Sequence, residues 1–154
     1  MGSADGRKVW LKRSGLAVIL LLASIQFFAI DRHNPVVEPS QTIYSTESPP
    51  AEVRSILQRS CNDCHSNETR WPWYSYIAPV SWVVANDVHQ ARRRMNFSEW
   101  GTYPSKKRAD RLEEFCEQLM NGEMPDRKYT FIHRNARLTQ EERASLCAWA
   151  NGKR

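Results

Sequence analysis

Two cysteines and a histidine, all within five residues, most constrain what this chain can fold into. Residues 60–65 read SCNDCH, with thiols at Cys61 and Cys64 and an imidazole at His65. Three kinds of site use such a group: a structural zinc site, a redox-active dithiol, or a covalently attached haem. Each kind of site requires different features elsewhere in the chain, so the remaining sequence can discriminate between the three.

Zinc needs four ligands, usually in two close pairs, but the other two cysteines, Cys116 and Cys147, stand far apart in the sequence. A redox dithiol of the thioredoxin type is expected beside a βαβ pattern, and none is visible. For haem, two cysteines on one helical turn place both sulfurs where they can add to the two porphyrin vinyl groups. The adjacent His65 then reaches the iron as its proximal ligand. The motif therefore predicts one covalent haem c on Cys61 and Cys64.

An apolar run, residues 14–30, follows a basic N-terminus that contains Arg7, Lys8, Lys12 and Arg13. The run has about the minimum length of a membrane-spanning helix, and the positive charges before it favour a cytoplasmic N-terminus. We therefore predict a cytoplasmic segment (1–13) and a retained transmembrane anchor (14–30) in the cytoplasmic (inner) membrane. The C-terminal domain would then lie in the periplasm or another extracytoplasmic space. A cleaved signal peptide and a buried helix of a soluble domain are the alternatives.

The charge of the chain beyond this segment gives little support to nucleic-acid binding. Residues 31–154 contain 18 Lys and Arg against 16 Asp and Glu, a formal balance of +2. The basic clusters at 92–94 and 106–108 are better explained as solvated helix faces than as a binding surface. No nucleic-acid partner is predicted.

The remaining sequence predicts a linker and one helical domain. Residues 31–48 are rich in proline and small polar residues, which is typical of an extended linker. Residues 49–154 show helical periodicity in four segments and no sustained alternation of polar and apolar residues. The predicted helices begin after Ser48, after Pro79, near residue 105 and at Thr139, where Thr139 and Glu142 have the spacing of a capping box. The predicted fold is all-α, a cytochrome-c-like domain around one covalent haem.

Aromatic residues are concentrated directly after the CxxCH motif. A haem presents a large apolar surface that a small domain must shield from water, and bulky rings are suited to this. The rings predicted to line a haem pocket are those of Trp71, Trp73, Tyr74 and Trp82. The alternative is that some of these rings fill ordinary core.

Four linked motifs resemble the bacterial haem-binding-domain family, which consists of short cytochrome-c-like proteins. They are CNDCHSNETRWPWYSYIAPVSW (61–82), NFSEW (96–100), GEMP (122–125) and LTQEERASLCAW (138–149). The resemblance extends over about residues 40–152. It implies a single haem c bound to Cys61 and Cys64, with His65 as an axial ligand. The stretch ARRRMNFS departs from the Gly-Arg that precedes NFS in many members, which affects local helix packing but not the haem ligands.

The second axial ligand must come from further along the chain. Met124 is preferred because it follows Gly122, which can end a helix, and precedes Pro125, which stiffens the turn. Its spacing after CxxCH also resembles that of the distal methionine in small cytochromes c. The other candidates are Met95, Met120, His89 and His133. An open coordination position is a further possibility.

The two remaining cysteines, Cys116 and Cys147, fall on the apolar faces of two predicted helices. Two leftover cysteines in an oxidising compartment often pair, so a disulfide between them is possible. Alternatively, both are small buried apolar residues.

These features together predict an electron carrier and not an enzyme. A six-coordinate haem has no free position for a substrate, and the sequence shows no acid–base pair suited to peroxidase chemistry. The predicted partners are a membrane oxidoreductase or a respiratory or photosynthetic complex, in which the chain could itself be a fixed subunit. No small-molecule substrate is predicted. The alternatives are a haem-based gas or redox sensor and a haem-stabilised interaction subunit without redox activity.

Overall fold

A computed structural model describes residues 3–28 and 30–153. Residues 1, 2, 29 and 154, at the ends of the chain and within the predicted anchor, lie outside the described residues. The described residues form helices and no β-strand, which confirms the all-α prediction. The α-helices are α1 (Ser3–Ile25), α2 (Ile43–Thr46), α3 (Ala51–Ser60), α4 (Asn62–His65), α5 (Val80–Arg94), α6 (Ser105–Met120), α7 (Arg127–Ile132) and α8 (Gln140–Asn151). Short 3-10 turns lie at Pro39–Gln41, Trp73–Tyr76, Trp100–Thr102 and Arg134–Ala136.

The chain divides into two compact units. The first contains the described residues of Met1–Arg32 together with Trp71–Asn86. Within it, the Gln26 side chain bonds both backbone groups of Ala78, at 3.0 and 3.1 Å. The Arg32 guanidinium donates to the Ser75 carbonyl at 3.2 Å. The segment after α1 is therefore joined to the loop that begins at Trp71.

The predicted transmembrane anchor at 14–30 is wrong, and so is the single-pass inner-membrane location based on it. Among residues 3–28 and 30–153, no helix combines the length and the apolar character needed to cross a membrane. Helix α1 ends at Ile25, so only residues 14–25 of the apolar run are helical. At 1.5 Å per residue this part spans about 18 Å, against about 30 Å for the hydrocarbon core of a bilayer. The preceding turns of α1 carry four basic residues: Arg7, Lys8, Lys12 and Arg13.

The second unit contains His33–Arg70 and the described residues of Asp87–Arg154. Its first residues differ from the extended linker predicted for 31–48, because they include the turn Pro39–Gln41 and helix α2. The Thr42 side chain caps α2 by accepting from the Ser45 N–H. Ile43 is fully buried, and its N–H donates to the Phe97 carbonyl at 2.8 Å. An apolar residue that packs in the core therefore ties this segment to the helical domain.

The four predicted helices of this domain correspond to α3, α5, α6 and α8. Helix α3 begins after Pro50 and not at Ser48. The capping box predicted for α8 is present, since the Thr139 hydroxyl accepts from the Glu142 N–H and the Glu142 carboxylate accepts from the Thr139 N–H. Gly122 adopts a left-handed conformation, with φ of 71°, directly after α6. A residue without a side-chain β-carbon suits this position, which ends the helix.

Helix α6 packs against α8 and contributes Leu112, Phe115 and Leu119 to the core. Cys116 of α6 and Cys147 of α8 form a disulfide. Helix α3 packs against α8, where Arg59 forms an ion pair of 2.8 Å with Glu142. The CxxCH segment therefore begins at the end of a helix that is packed into the domain core.

Candidate functional site

The CxxCH segment forms one helical turn. Cys61 lies between α3 and α4, and its N–H donates to the Leu57 carbonyl at 3.0 Å. The Cys61 carbonyl in turn accepts from the N–H groups of Cys64, at 3.2 Å, and His65, at 2.9 Å. These bonds hold the two thiols and the imidazole within a single turn, as the spacing predicts.

His65 is oriented by contacts from outside this turn. Its Nδ1 lies 2.9 Å from the Met95 carbonyl, and its ring stacks on Phe97 with centroids 5.7 Å apart. Since a carbonyl oxygen can only accept, Nδ1 carries the proton, and the neutral ring then has its lone pair on Nε2. Burial lowers the pKa of His65, because it disfavours the charged imidazolium, although hydrogen bonding to the Met95 and Ala91 backbone partly opposes this. A neutral imidazole with a free Nε2 is the form that binds a metal.

A cavity of about 320 Å³ brings the predicted ligands together. Cys61, Cys64, His65 and Met124 all line it. This volume lies within the range of about 300–1,000 Å³ that is usual for small-molecule and cofactor sites. Apolar side chains form much of the wall, among them Ala91, Met95, Phe97, Phe115 and Leu119. The cavity is therefore suited to a flat apolar ligand that meets two thiols and an imidazole.

Both thiols are protonated at neutral pH. Burial raises the pKa of Cys61 to about 12, with a smaller contribution from Cys64. Burial likewise raises the pKa of Cys64 to about 12, helped by the nearby carboxylates of Asp63, Asp87 and Asp126. Reactive dithiols instead have a lowered pKa, so this environment does not favour the redox-dithiol alternative.

The structure gives no support to the zinc alternative. Within residues 3–28 and 30–153, no group of three or more His, Cys, Asp or Glu side chains is arranged to hold a metal ion. Cys116 and Cys147, the other thiols that a zinc site would need, are bonded to each other.

The model of a family described as "Haem-binding domain" matches residues 20–152. The chain belongs to the haem-binding-domain family. No curated protein and no solved structure matches it. The family match confirms the resemblance stated from the sequence and supports haem as the ligand of this protein. The cavity fits that ligand, because it combines an apolar wall with two protonated thiols and a neutral imidazole.

Met124 lies in the turn between α6 and α7 and lines the cavity. Its N–H donates to the Gln118 carbonyl at 3.2 Å, and its carbonyl accepts from the Arg143 guanidinium at 2.9 Å. The side chain is 37% exposed. Among the other candidates, Met95 lines the cavity but is buried in the core, while Met120, His89 and His133 do not line it.

The four aromatic residues predicted to cover the haem are not among those that line the cavity. Trp71, Trp73, Tyr74 and Trp82 all belong to the first unit, and Trp73 is 75% exposed. Within the second unit, Phe97, Phe115 and Tyr129 line the cavity instead. Phe115 belongs to the buried apolar face of α6, whereas no pattern in the sequence singles out Tyr129.

Tyr129 connects α7 to Asp63, one of the two residues between the cysteines of the motif. Its hydroxyl donates to the Asp63 carboxylate at 2.9 Å, and the Arg70 guanidinium donates to the same carboxylate at 3.2 Å. Burial, together with the negative charge of Asp63, raises the pKa of Tyr129, so the phenol stays protonated. This hydrogen bond fixes the short helix α4 against the segment that follows Met124.

Proposed function

We propose that this protein is a monohaem c-type cytochrome that transfers single electrons between redox partners. The observation that supports the proposal most is that Cys61, Cys64, His65 and Met124 line one apolar cavity. Haem iron, when bound, supplies reversible one-electron chemistry.

The residues of the CxxCH turn have separate roles in this proposal. Cys61 and Cys64 would hold the haem by thioether bonds, in which each S–H adds across one vinyl double bond and no oxidant is consumed. Their buried, protonated state suits this addition. His65 would present Nε2 to the iron, since the Met95 carbonyl holds the proton on Nδ1.

Met124 would supply the second axial ligand. A thioether is a neutral, soft donor, and methionine–histidine ligation raises the reduction potential of haem iron. The apolar side chains of Phe97, Phe115 and Leu119 would exclude water from the site. An apolar environment disfavours the more highly charged oxidised iron, so it too raises the potential.

We propose a carrier and not an enzyme, because two protein ligands leave the iron no position for a substrate. The expected partners are an oxidoreductase or a respiratory or photosynthetic complex. Neither nucleic acid nor a small-molecule substrate belongs to this proposal.

Spectroelectrochemical titration of the purified protein, with and without carbon monoxide, tests the function. A reversible one-electron transition, with one haem per chain and no spectral change on adding carbon monoxide, would support the carrier. Rapid carbon monoxide binding to the reduced wild-type protein would contradict it and favour a gas sensor.

A further inference from the structure

Two guanidinium groups at the cavity have no role in the ligation described above. Arg94 is the last residue of α5 and Arg111 lies in the second turn of α6, and both line the cavity. Neither arginine is among the residues that the sequence predicts to bind haem. Arg94 is exposed, whereas Arg111 is partly buried, and a charged group removed from water costs free energy unless a partner compensates it.

Arg111 has hydrogen-bonding capacity to spare. Its Nη1 forms an ion pair with the Glu114 carboxylate, one turn further along α6. Its Nε is buried, and it has no hydrogen-bond partner among the described residues. A guanidinium carries five N–H donors in a planar fork, so one contact to Glu114 leaves it able to bind a second carboxylate.

The cavity-lining faces of both helices follow a regular spacing. On α5 the lining residues are Asp87, Gln90, Ala91 and Arg94, and on α6 they are Arg111, Glu114, Phe115, Gln118 and Leu119. Counted from the first residue of each set, intervals of three, four, seven and eight residues place each set on one helix face. Asp87 and Arg94 are about 10 Å apart along α5. The α5 face therefore presents a negative charge at one end and a positive charge at the other.

The negative end of this face already has a partner. Lys128 lies 3.1 Å from the Asp87 carboxylate and 3.8 Å from that of Asp126. Arg94 forms no ion pair with any other residue of the described parts of the chain, 3–28 and 30–153. An anionic ligand group would therefore find the uncompensated positive charge of Arg94 and the spare N–H donors of Arg111, and no such positive charge near Asp87.

We propose that Arg111, assisted by Arg94, binds the propionate carboxylates of the haem. This inference rests on the haem position given under the proposed function. A haem carries two carboxylates on one edge, and these need hydrogen-bond donors wherever they are removed from water. Arg111 binds through its fork at the cavity wall, and Arg94, at the exposed end of α5, adds positive charge.

Resonance Raman spectroscopy of the holoprotein tests this assignment, because the propionate bending band reports hydrogen bonding to these carboxylates. Arg111→Gln removes the charge but keeps a side chain of similar length, and we expect the band to shift. Arg111→Lys keeps the charge without the planar fork and should give a smaller shift. Arg93→Gln is the matched control, because Arg93 is an exposed neighbour of Arg94 that does not line the cavity.

The reduction potential gives a second readout. Loss of a positive charge near the iron favours the oxidised state, so Arg111→Gln should lower the potential and Arg93→Gln should not. A propionate band in Arg111→Gln and Arg94→Gln identical to that of the wild type would overturn the inference. Haem content and the axial-ligand bands of the wild type test the proposed function separately, since neither depends on what binds the propionates.

Discussion

The two sides of the cavity are held in different ways. The proximal side, formed by Cys61, Cys64 and His65, is one helical turn closed by its own backbone bonds and by contacts of His65 with Met95 and Phe97. The distal side, formed by Met124, is a turn between two helices, held through backbone bonds to Gln118 and Arg143. The Met124 side chain remains 37% exposed.

From this difference we expect the two sides to have different roles: the proximal side attaches the cofactor, and the distal side controls its reactivity. Helical hydrogen bonds fix the relative positions of the proximal groups, so in the proposed cytochrome we expect these groups to retain haem even when the distal side is altered. The proposed distal ligand is one side chain in a turn, and we expect its loss to open the iron without releasing the haem. Variants on the two sides should therefore have qualitatively different phenotypes.

The largest effect is expected from the proximal thiols. Replacing Cys61 and Cys64 by Ala removes both thioether bonds, so denatured protein should contain no haem. Haem staining on a denaturing gel, together with intact mass, measures this.

The matched control is Cys116→Ala with Cys147→Ala, which also removes two cysteines. It should keep the haem and lose about 2–4 kcal/mol of stability, because only the disulfide is lost. Haem that survives denaturation in the Cys61/Cys64 variant would contradict the attachment.

Met124→Ala tests the distal side. Loss of the thioether should abolish the far-red methionine–iron band, open the reduced iron to carbon monoxide and lower the potential, while covalent haem content stays the same. Absorption spectroscopy and a redox titration measure these changes. Met120→Ala is the matched control, since Met120 is 64% exposed and does not line the cavity. A normal spectrum for Met124→Ala would rule out Met124, and an altered spectrum for His133→Ala or His89→Ala would then identify a histidine ligand.

Tyr129→Phe tests whether the two sides support each other. Losing the hydroxyl removes the bond to Asp63 between the two cysteines, at a cost of about 1.5 kcal/mol for a hydrogen bond to a charged group. Chemical denaturation of the holoprotein should show this loss, with the haem still attached. Tyr76→Phe, at a ring that is 59% exposed, should leave the stability unchanged. Equal stabilities for Tyr129→Phe and wild type would mean that the two sides are independent.

The smallest effect concerns the ion pair that holds α3, the helix before the proximal turn, against α8. Burial by itself would raise the pKa of Glu142, but the hydrogen bonds from Arg59 and the Thr139 backbone outweigh it, so the pKa lies below its usual value. A lowered carboxyl pKa contributes stability above the usual glutamate value, about 4.3, and this contribution is lost as the pH falls through the lowered value.

Glu142→Gln should therefore be less stable than wild type by about 0.5–1 kcal/mol at pH 7, and the gap should narrow at pH 3. Urea denaturation at the two pH values measures this difference in the free energy of unfolding. Glu117→Gln, at an exposed position on α6, serves as the control. If the difference in stability between Glu142→Gln and wild type is the same at both pH values, the charge of Glu142 does not contribute to that difference.

The proximal side could be predicted from sequence because its geometry is local. The spacing of Cys61, Cys64 and His65 determines their arrangement once the segment is helical, and Thr139 and Glu142 likewise identify the start of α8. Gly122 and Pro125 similarly limit where Met124 can lie. In each case the interacting groups are only a few residues apart, so a local pattern is sufficient.

The remaining features depend on tertiary packing. The apolar run at 14–30 has the composition of an anchor, but α1 stops at Ile25. Trp71, Trp73, Tyr74 and Trp82 follow the motif in sequence, yet their segment belongs to the other unit. Tyr129 lines the cavity from a position more than sixty residues after the motif. Proximity in sequence therefore indicates that the two thiols and the imidazole lie together, but it does not indicate which aromatic rings line the cavity.

The pyridine haemochrome spectrum of the wild-type protein tests the central claim most directly, because the position of its main band depends on how many vinyl groups have become thioethers. The account predicts one haem per chain with both vinyl groups converted, and this haem should stay on the polypeptide through acid–acetone extraction. A spectrum of unmodified haem, recovered completely in the extract, would contradict it.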